Sequence, residues 1–236
     1  MNNILRIITH DFKNFAKYHI IHMTLIVSLI FALAMGFFPE IEPLLYVYLT
    51  VFVIPVIMNS ITLFIEKEDD NLIPEHLKTS KIREIISGKV LSSLLLQLIP
   101  LILYLIVMAF VLNVNFNLLL FSLAYLVGVL IHILIGFSIT ILSKSHLHMM
   151  SLYIGYIAIF SFLPFISLMG LIPNSIEFLF IFSPGYLVGI IIENITFTYL
   201  FSPLYLVIIA CILLIVYIVM LILFIISPFY KKQINN

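Results

Sequence analysis

Residues 204–226 read LYLVIIACILLIVYIVMLILFII, twenty-three residues without Asp, Glu, Lys, Arg, Gly or Pro. A helix needs about 20 apolar residues to cross roughly 30 Å of hydrocarbon, so this stretch reads as a membrane span. Five more stretches meet the same test working back toward the start: Ile20–Phe38, Leu44–Ile65, Val90–Leu112, Leu118–Leu142 and Met149–Ile172, none with a charged residue. Of the 236 residues, 64% are apolar and 9% charged. A soluble domain is about half apolar and about a quarter charged, so so few charges cannot cover a water-facing surface. The chain reads as an all-α integral membrane protein, a single domain over residues 1–236 with six transmembrane helices.

The basic residues orient it. All eleven precede the first span, lie between the second and third or the fourth and fifth, or follow the sixth. That places both termini in the cytoplasm of a multi-pass plasma-membrane protein by the positive-inside rule. The loops on the other side carry only Glu40, Glu42, Glu177 and Glu193. Ala32-Leu33-Ala34 has the form of a signal-peptide cleavage site, but it lies inside the apolar run behind a long polar segment, so the first span is read as retained. With a net charge of zero there is no global field to draw nucleic acid. The single cysteine, Cys211, excludes a disulfide framework.

Three segments outside the spans are unusual. Residues Asn3 to Tyr18 are amphipathic: Leu5, Ile8, Phe12, Phe15 and Ala16 make an apolar stripe, with Arg6, Asp11, Lys13, Asn14 and Lys17 largely elsewhere on the wheel. Such a helix suits the membrane interface, in contact with lipid. The segment from Glu66 to Lys89 holds half of the chain's 22 charges. Its acidic start favours a helix opening near Asn71, and Ser80 is placed to cap another that runs into the third span. Residues Pro173–Pro203 are apolar but broken by Ser183-Pro184-Gly185 and closed by Glu193-Asn194. They read as a re-entrant pair of short helices before the last span, with Gly185 and Gly189 in a GxxxG spacing that permits close packing. Pro55, Pro100 and Pro164 are expected to kink the second, third and fifth spans.

Catalytic chemistry is not signalled. Gly88-Lys89 lacks the upstream glycine and following Ser or Thr of a phosphate-binding loop, so this chain is not expected to bind a nucleotide or to be an enzyme. Gly136-Phe137-Ser138 resembles a nucleophile motif, but Thr140 stands in place of its second glycine, and Ser138 reads as a packing hydroxyl bonded to its own helix. His146 and His148 have no carboxylate or cysteine beside them in their loop, so no metal or cofactor is assigned. The spans contain no acid to bind a driving ion. Their main polar groups are His22, Asn59, Gln97 and His132, and Asn59 and Gln97 read as interhelical hydrogen-bond partners.

Phe64-Ile65-Glu66-Lys67-Glu68, leading to Ser87-Gly88-Lys89-Val90, is similar to a pattern of one family. With the six spans, the amphipathic first helix and the hairpin, the chain resembles the permease subunit of an ABC-2 type transporter over nearly its whole length. There an acidic E-[KR]-E run closes the second span and "GK" or "SK" opens the third. The sequence departs from the pattern at Asp70-Asn71, where Gly-Thr is common, and at Thr79-Ser80, where Ser-Pro is common. The resemblance implies a coupling helix at Leu72–Lys78, with Leu72, Ile73 and Leu77 as its apolar face and Glu75 and Lys78 at its rim. It implies pairing with a second permease copy or a paralogue, and docking of an ABC ATPase subunit that carries the ATP and magnesium. The expected activity is export of an amphipathic or hydrophobic substrate, a peptide or drug-like molecule, because the spans offer apolar and aromatic surface and no charge. The alternatives are a lipid or polysaccharide exporter subunit of that family, and a non-transporting membrane scaffold or immunity-type protein.

Overall fold

The computed structural model describes residues 3–38, 43–68, 80–113, 116–168, 179–196 and 204–235, and every regular element among them is helical. Helix α1 (Asn3–Lys17) is followed by α2 (Ile20–Phe37), α3 (Pro43–Glu68), α4 (Ile82–Leu96) and α5 (Leu98–Ile106). A π turn at Val107–Val111 extends α5. Then come α6 (Leu118–Leu142), α7 (His146–Ile157), α8 (Leu163–Leu168), α9 (Pro184–Thr196), α10 (Leu204–Met220) and α11 (Ser227–Asn235).

Five helices are long and apolar enough to cross a membrane: Ile20–Phe37, Leu45–Glu68, Ile82–Val111, Leu118–Leu142 and Tyr205–Lys232. A sixth apolar stretch, His146–Phe162, is shorter by itself and continues into α8 through a π turn at Ala158–Phe162. The protein is therefore a multi-pass helical membrane protein. The expected boundaries of the first, second and fourth spans agree with these helices to within three residues. The third helix begins eight residues early, at Ile82, and contains Lys89, and the last runs six residues further, to Lys232. Of the expected fifth span, Met149–Ile172, the part beyond Leu168 lies outside the described residues.

Helix α3 is the axis of the bundle: most of its apolar stretch is buried, whereas that of the last helix is largely exposed. It packs most closely on α6, and small residues make that possible. The Ser60 hydroxyl donates to the Gly136 carbonyl at 3.1 Å, and the Thr140 hydroxyl donates back to the Ser60 carbonyl at 3.0 Å. A Cβ at Gly136 would lie 3.0 Å from the Val56 carbonyl oxygen, so a side chain there would require α3 to move away by a few tenths of an ångström. In hydrocarbon, close backbone approach and hydroxyl bonds of this kind replace the hydrophobic force that packs soluble helices.

The prolines act differently at each position. The third span breaks at Gln97, between α4 and α5, one turn before Pro100. Pro164 and Pro228 each follow a π turn by two residues, the widened turn easing the clash of the ring with the preceding carbonyl. At Pro55 α3 continues unbroken, and the Asn59 side chain donates to the Pro55 carbonyl at 2.6 Å. Asn59 thus bonds its own helix, and the fully buried Gln97 amide has no partner among the described residues. Neither makes the interhelical bond that the sequence led us to expect.

Candidate functional site

The residues that carry the family resemblance meet at one end of the bundle. Glu66 closes α3 and Lys89 lies in the third turn of α4, and the Lys89 ammonium donates to Glu66 Oε2 at 2.7 Å. Asp11 of α1 completes the group, with its Oδ1 at 3.3 Å from the Lys89 nitrogen. Asp11 Oδ2 accepts from the Ser92 hydroxyl at 2.5 Å, and Glu66 Oε1 accepts from the Asn14 amide at 2.8 Å. All are buried, Asp11 to 3% exposure, Glu66 to 2% and Lys89 to 5%. Burial works against the Asp11 charge. The Lys89 ammonium and hydrogen bonds from His10, Ser92 and Lys89 outweigh it and hold the carboxyl below its ordinary 3.8.

The register of α1 explains how this is built. Asn3 donates to Glu84 Oε2 at 3.0 Å, Ile7 lies on Gly88, and Asp11 meets Ser92. Each pair is 81 residues apart, so α1 runs parallel to α4 with one contact per turn. Gly88 is required for the fit: a Cβ there would stand 2.7 Å from Ile7 Cγ2 and 2.8 Å from Ile7 Cβ. The Gly88-Lys89 pair is thus a helix-packing element, glycine for approach and lysine for attachment. Glu84 also accepts from the Lys81 backbone at 3.1 Å, which opens α4.

This corrects the reading of α1. Asp11 and Asn14 sit on the buried face with Ile7 and Phe15, not on a water-facing one. Of the apolar stripe, Phe15 is packed inward with them, whereas Leu5 is 54% exposed and Ile8 and Phe12 are half-buried, so only the outer part of the stripe is left for lipid. One signal in the sequence points at Asp11: it is the only acid before Glu40.

Neighbouring charges serve the same end of the bundle. Lys67 donates to the Ser143 and Thr140 carbonyls at 2.7 and 3.2 Å, which satisfies the C-terminal turn of α6 and complements its dipole. Tyr230 of α11 is fully buried. His146 packs edge-on against Phe64, and His148 Nδ1 accepts from the Lys144 backbone at 3.3 Å. Ser138 bonds the Leu134 carbonyl of its own helix at 2.8 Å, as the sequence implied. His132 is fully buried, with Nδ1 at 2.6 Å from the Gly128 carbonyl and its ring 4.5 Å from that of Phe52.

The proposed coupling residues Leu72, Ile73, Glu75, Leu77 and Lys78 lie outside the described residues. Of the hairpin, α9 is described, and it is buried from its first residue, Pro184, through Ile192. Ser183 caps it by accepting from the Tyr186 backbone at 3.2 Å, and the same hydroxyl donates to the Phe160 carbonyl at 2.6 Å. Pro164 has no N–H to offer that carbonyl, which stands four residues back. A Cβ at Gly185 would come within 2.6 Å of the same oxygen, so only glycine allows α9 to seat there. The Tyr217 hydroxyl donates to the Phe182 carbonyl at 2.8 Å. Gly189 is buried within α9 and Glu193 half-buried near its end.

No protein-family model, characterised protein or solved structure matches this chain.

Proposed function

We propose that the protein is the membrane subunit of an ATP-driven exporter of the ABC-2 type, with six spans and both termini in the cytoplasm. It pairs with a second copy or a paralogue, and a separate ABC ATPase docks on Leu72–Lys78. The observation that carries the reading is the Glu66–Lys89 ion pair. It closes the charged segment between them into a loop whose two ends meet, and Asp11 fastens α1 to the same point. A force applied to that loop by a partner reaches α1, α3 and α4 together, since they share one buried attachment. The absence of acids in the middle of the spans and of a phosphate-binding loop in the sequence supports an energy source on another subunit.

A seven-residue helix is not stable alone in water and needs a surface to hold it. Leu72, Ile73 and Leu77 give it a face that a groove can bury, at about 1.5–3 kcal/mol per side chain before ordering costs. Glu75 and Lys78 at the rim set orientation more than affinity. The hairpin around Pro184, Gly185, Gly189 and Glu193 dips into the membrane and returns. Apolar and aromatic surface without charge favours an amphipathic peptide or a hydrophobic drug-like substrate. The test is Leu77→Asp, measured by pull-down of the ATPase and by ATP hydrolysis of the purified pair. Loss of both with an inserted, folded permease is expected, and unchanged association and hydrolysis would refute the assignment.

A further inference from the structure

We propose that the junction of α1 and α2 binds the headgroup of an anionic membrane lipid. The length of the first span fixes where this junction lies. Ile20–Phe37 has 18 residues. That is about 27 Å of helix, just enough to cover roughly 30 Å of hydrocarbon. Its first residue therefore stands at the boundary, which puts Lys17, Tyr18 and His19 at headgroup level. His19 has a φ of 58°, in the left-handed region, and there the chain turns from α1 into α2. The Lys17 ammonium donates to the Tyr18 hydroxyl at 3.1 Å and lies 4.7 Å from the centre of its ring, so the cation is held at this level.

The exposed charge of α1 has one sign. Lys13 and Lys17 are exposed one turn apart on the same side of the helix, and exposed Arg6 lies about two turns before Lys13 on that side. The one acid of α1, Asp11, is turned inward onto Lys89. Glu66 is engaged by Lys89 and Asn14, and Glu84 by Asn3 at the far end of α1. Exposed Glu68 stands about 200° round α3 from Glu66, away from α1.

The face of α2 decides between a lipid and an acidic protein. Its exposed residues His22, Ile26, Leu29, Leu33 and Phe37 follow one another at three- and four-residue spacing and so share one side. A histidine at the foot of a lipid-facing stripe is costly in hydrocarbon and is placed to meet a headgroup oxygen. A phospholipid covers both parts, with acyl chains along the apolar stripe and a phosphate accepting from the lysines and histidines at its foot. An acidic protein answers the charge but leaves the stripe to something else. A headgroup amine would bring a cation to a cationic site, so a lipid without one, such as phosphatidylglycerol, fits better. The site holds whether or not the protein is a transporter.

The experiment titrates the purified full chain with phosphatidylglycerol or phosphatidylcholine of the same acyl chains, reading bound lipid by native mass spectrometry. Tighter binding of phosphatidylglycerol is expected, and it should weaken as salt is added, because the cations are exposed. Lys13→Gln with Lys17→Gln is expected to weaken phosphatidylglycerol by about fivefold per lysine and to leave phosphatidylcholine unchanged. Lys231→Gln with Lys232→Gln, on α11, is expected to keep the preference. Equal binding of the two lipids by the wild type would overturn the proposal. So would an undiminished preference in the Lys13 and Lys17 variant, or an equal loss in the Lys231 and Lys232 variant. Displacement of phosphatidylglycerol by inorganic phosphate would mark a free-anion site and overturn it as well. Protection of Lys13 and Lys17 from an amine reagent by polyglutamate, and not by phosphatidylglycerol vesicles, would assign the face to a protein instead.

Discussion

Two junctions tie together elements far apart in the chain, and they are made of opposite materials. At one end of the bundle, Asp11, Glu66 and Lys89 join α1, α3 and α4 through buried charges. At the start of α9, Ser183, Phe160, Tyr217 and Phe182 join that helix to its neighbours through neutral hydroxyl-to-carbonyl bonds. A buried ion pair is costly to break, because one partner left alone is an uncompensated charge. A neutral bond in a membrane bundle contributes about 0.6 kcal/mol on average and not much above 1.7 at most. The first junction therefore acts as a fixed anchor and the second as one that can be remade. A membrane protein that moves needs both, since motion at one place requires something rigid at another.

The largest effect is expected at Lys89. Lys89→Met leaves two buried carboxylates together without their cation, and a loss of about 3–5 kcal/mol is expected in thermal or denaturant unfolding. Less than about 1 kcal/mol would show that the cluster is hydrated and the contrast with the α9 junction false. Next comes Gly88→Val, which drives a branched side chain into Ile7 and is expected to cost about 1–3 kcal/mol. Ile7→Ala in the same chain should recover part of that loss if the register of α1 on α4 is right, which paired unfolding curves would read.

At the other junction, Ser183→Ala removes the α9 cap and the donor to the Phe160 carbonyl together. A cost of about 1–2 kcal/mol is expected, along with faster amide exchange at the start of α9. Global destabilisation as large as that of Lys89→Met would erase the distinction between the two junctions. The smallest effect is expected for Asn3→Ala. Its bond to Glu84 is partly exposed, and a loss of under about 1 kcal/mol should be seen by the same unfolding assay.

Composition and charge placement make the spans legible, because apolar runs such as 204–226 have no other stable place. The charged junction was half legible. Glu66 and Lys89 stand out through the motifs that flank them, but nothing local says that they touch across a separation of 23 residues. Asp11 was misplaced because a helical wheel counts apolar residues, and here the buried face is chosen by pairing. Its Asp and Asn are turned inward by Lys89 and Glu66, which only the folded chain brings near. The Ser183 elbow was visible as a break at Ser183-Pro184-Gly185. Its partner is a backbone carbonyl exposed by Pro164, and backbone groups leave no trace in a sequence. Asn59 and Gln97 show the reverse error, since a polar residue in a span need not reach across to another helix.

The account stands on α1 lying along the start of α4, and a cysteine pair tests that contact most directly. Ile7→Cys with Gly88→Cys, in a Cys211→Ser background, places two Cβ atoms where 2.8 Å separates Ile7 Cβ from a Cβ built on Gly88. A disulfide needs about 3.5–4.5 Å, within reach of a small outward relaxation. Oxidation in native membranes, read by mass spectrometry of the linked peptides, should give the disulfide in high yield. Leu5→Cys with Gly88→Cys, which starts from an exposed residue on another side of α1, should give little. No linkage from position 7, or equal linkage from positions 5 and 7, would contradict the account.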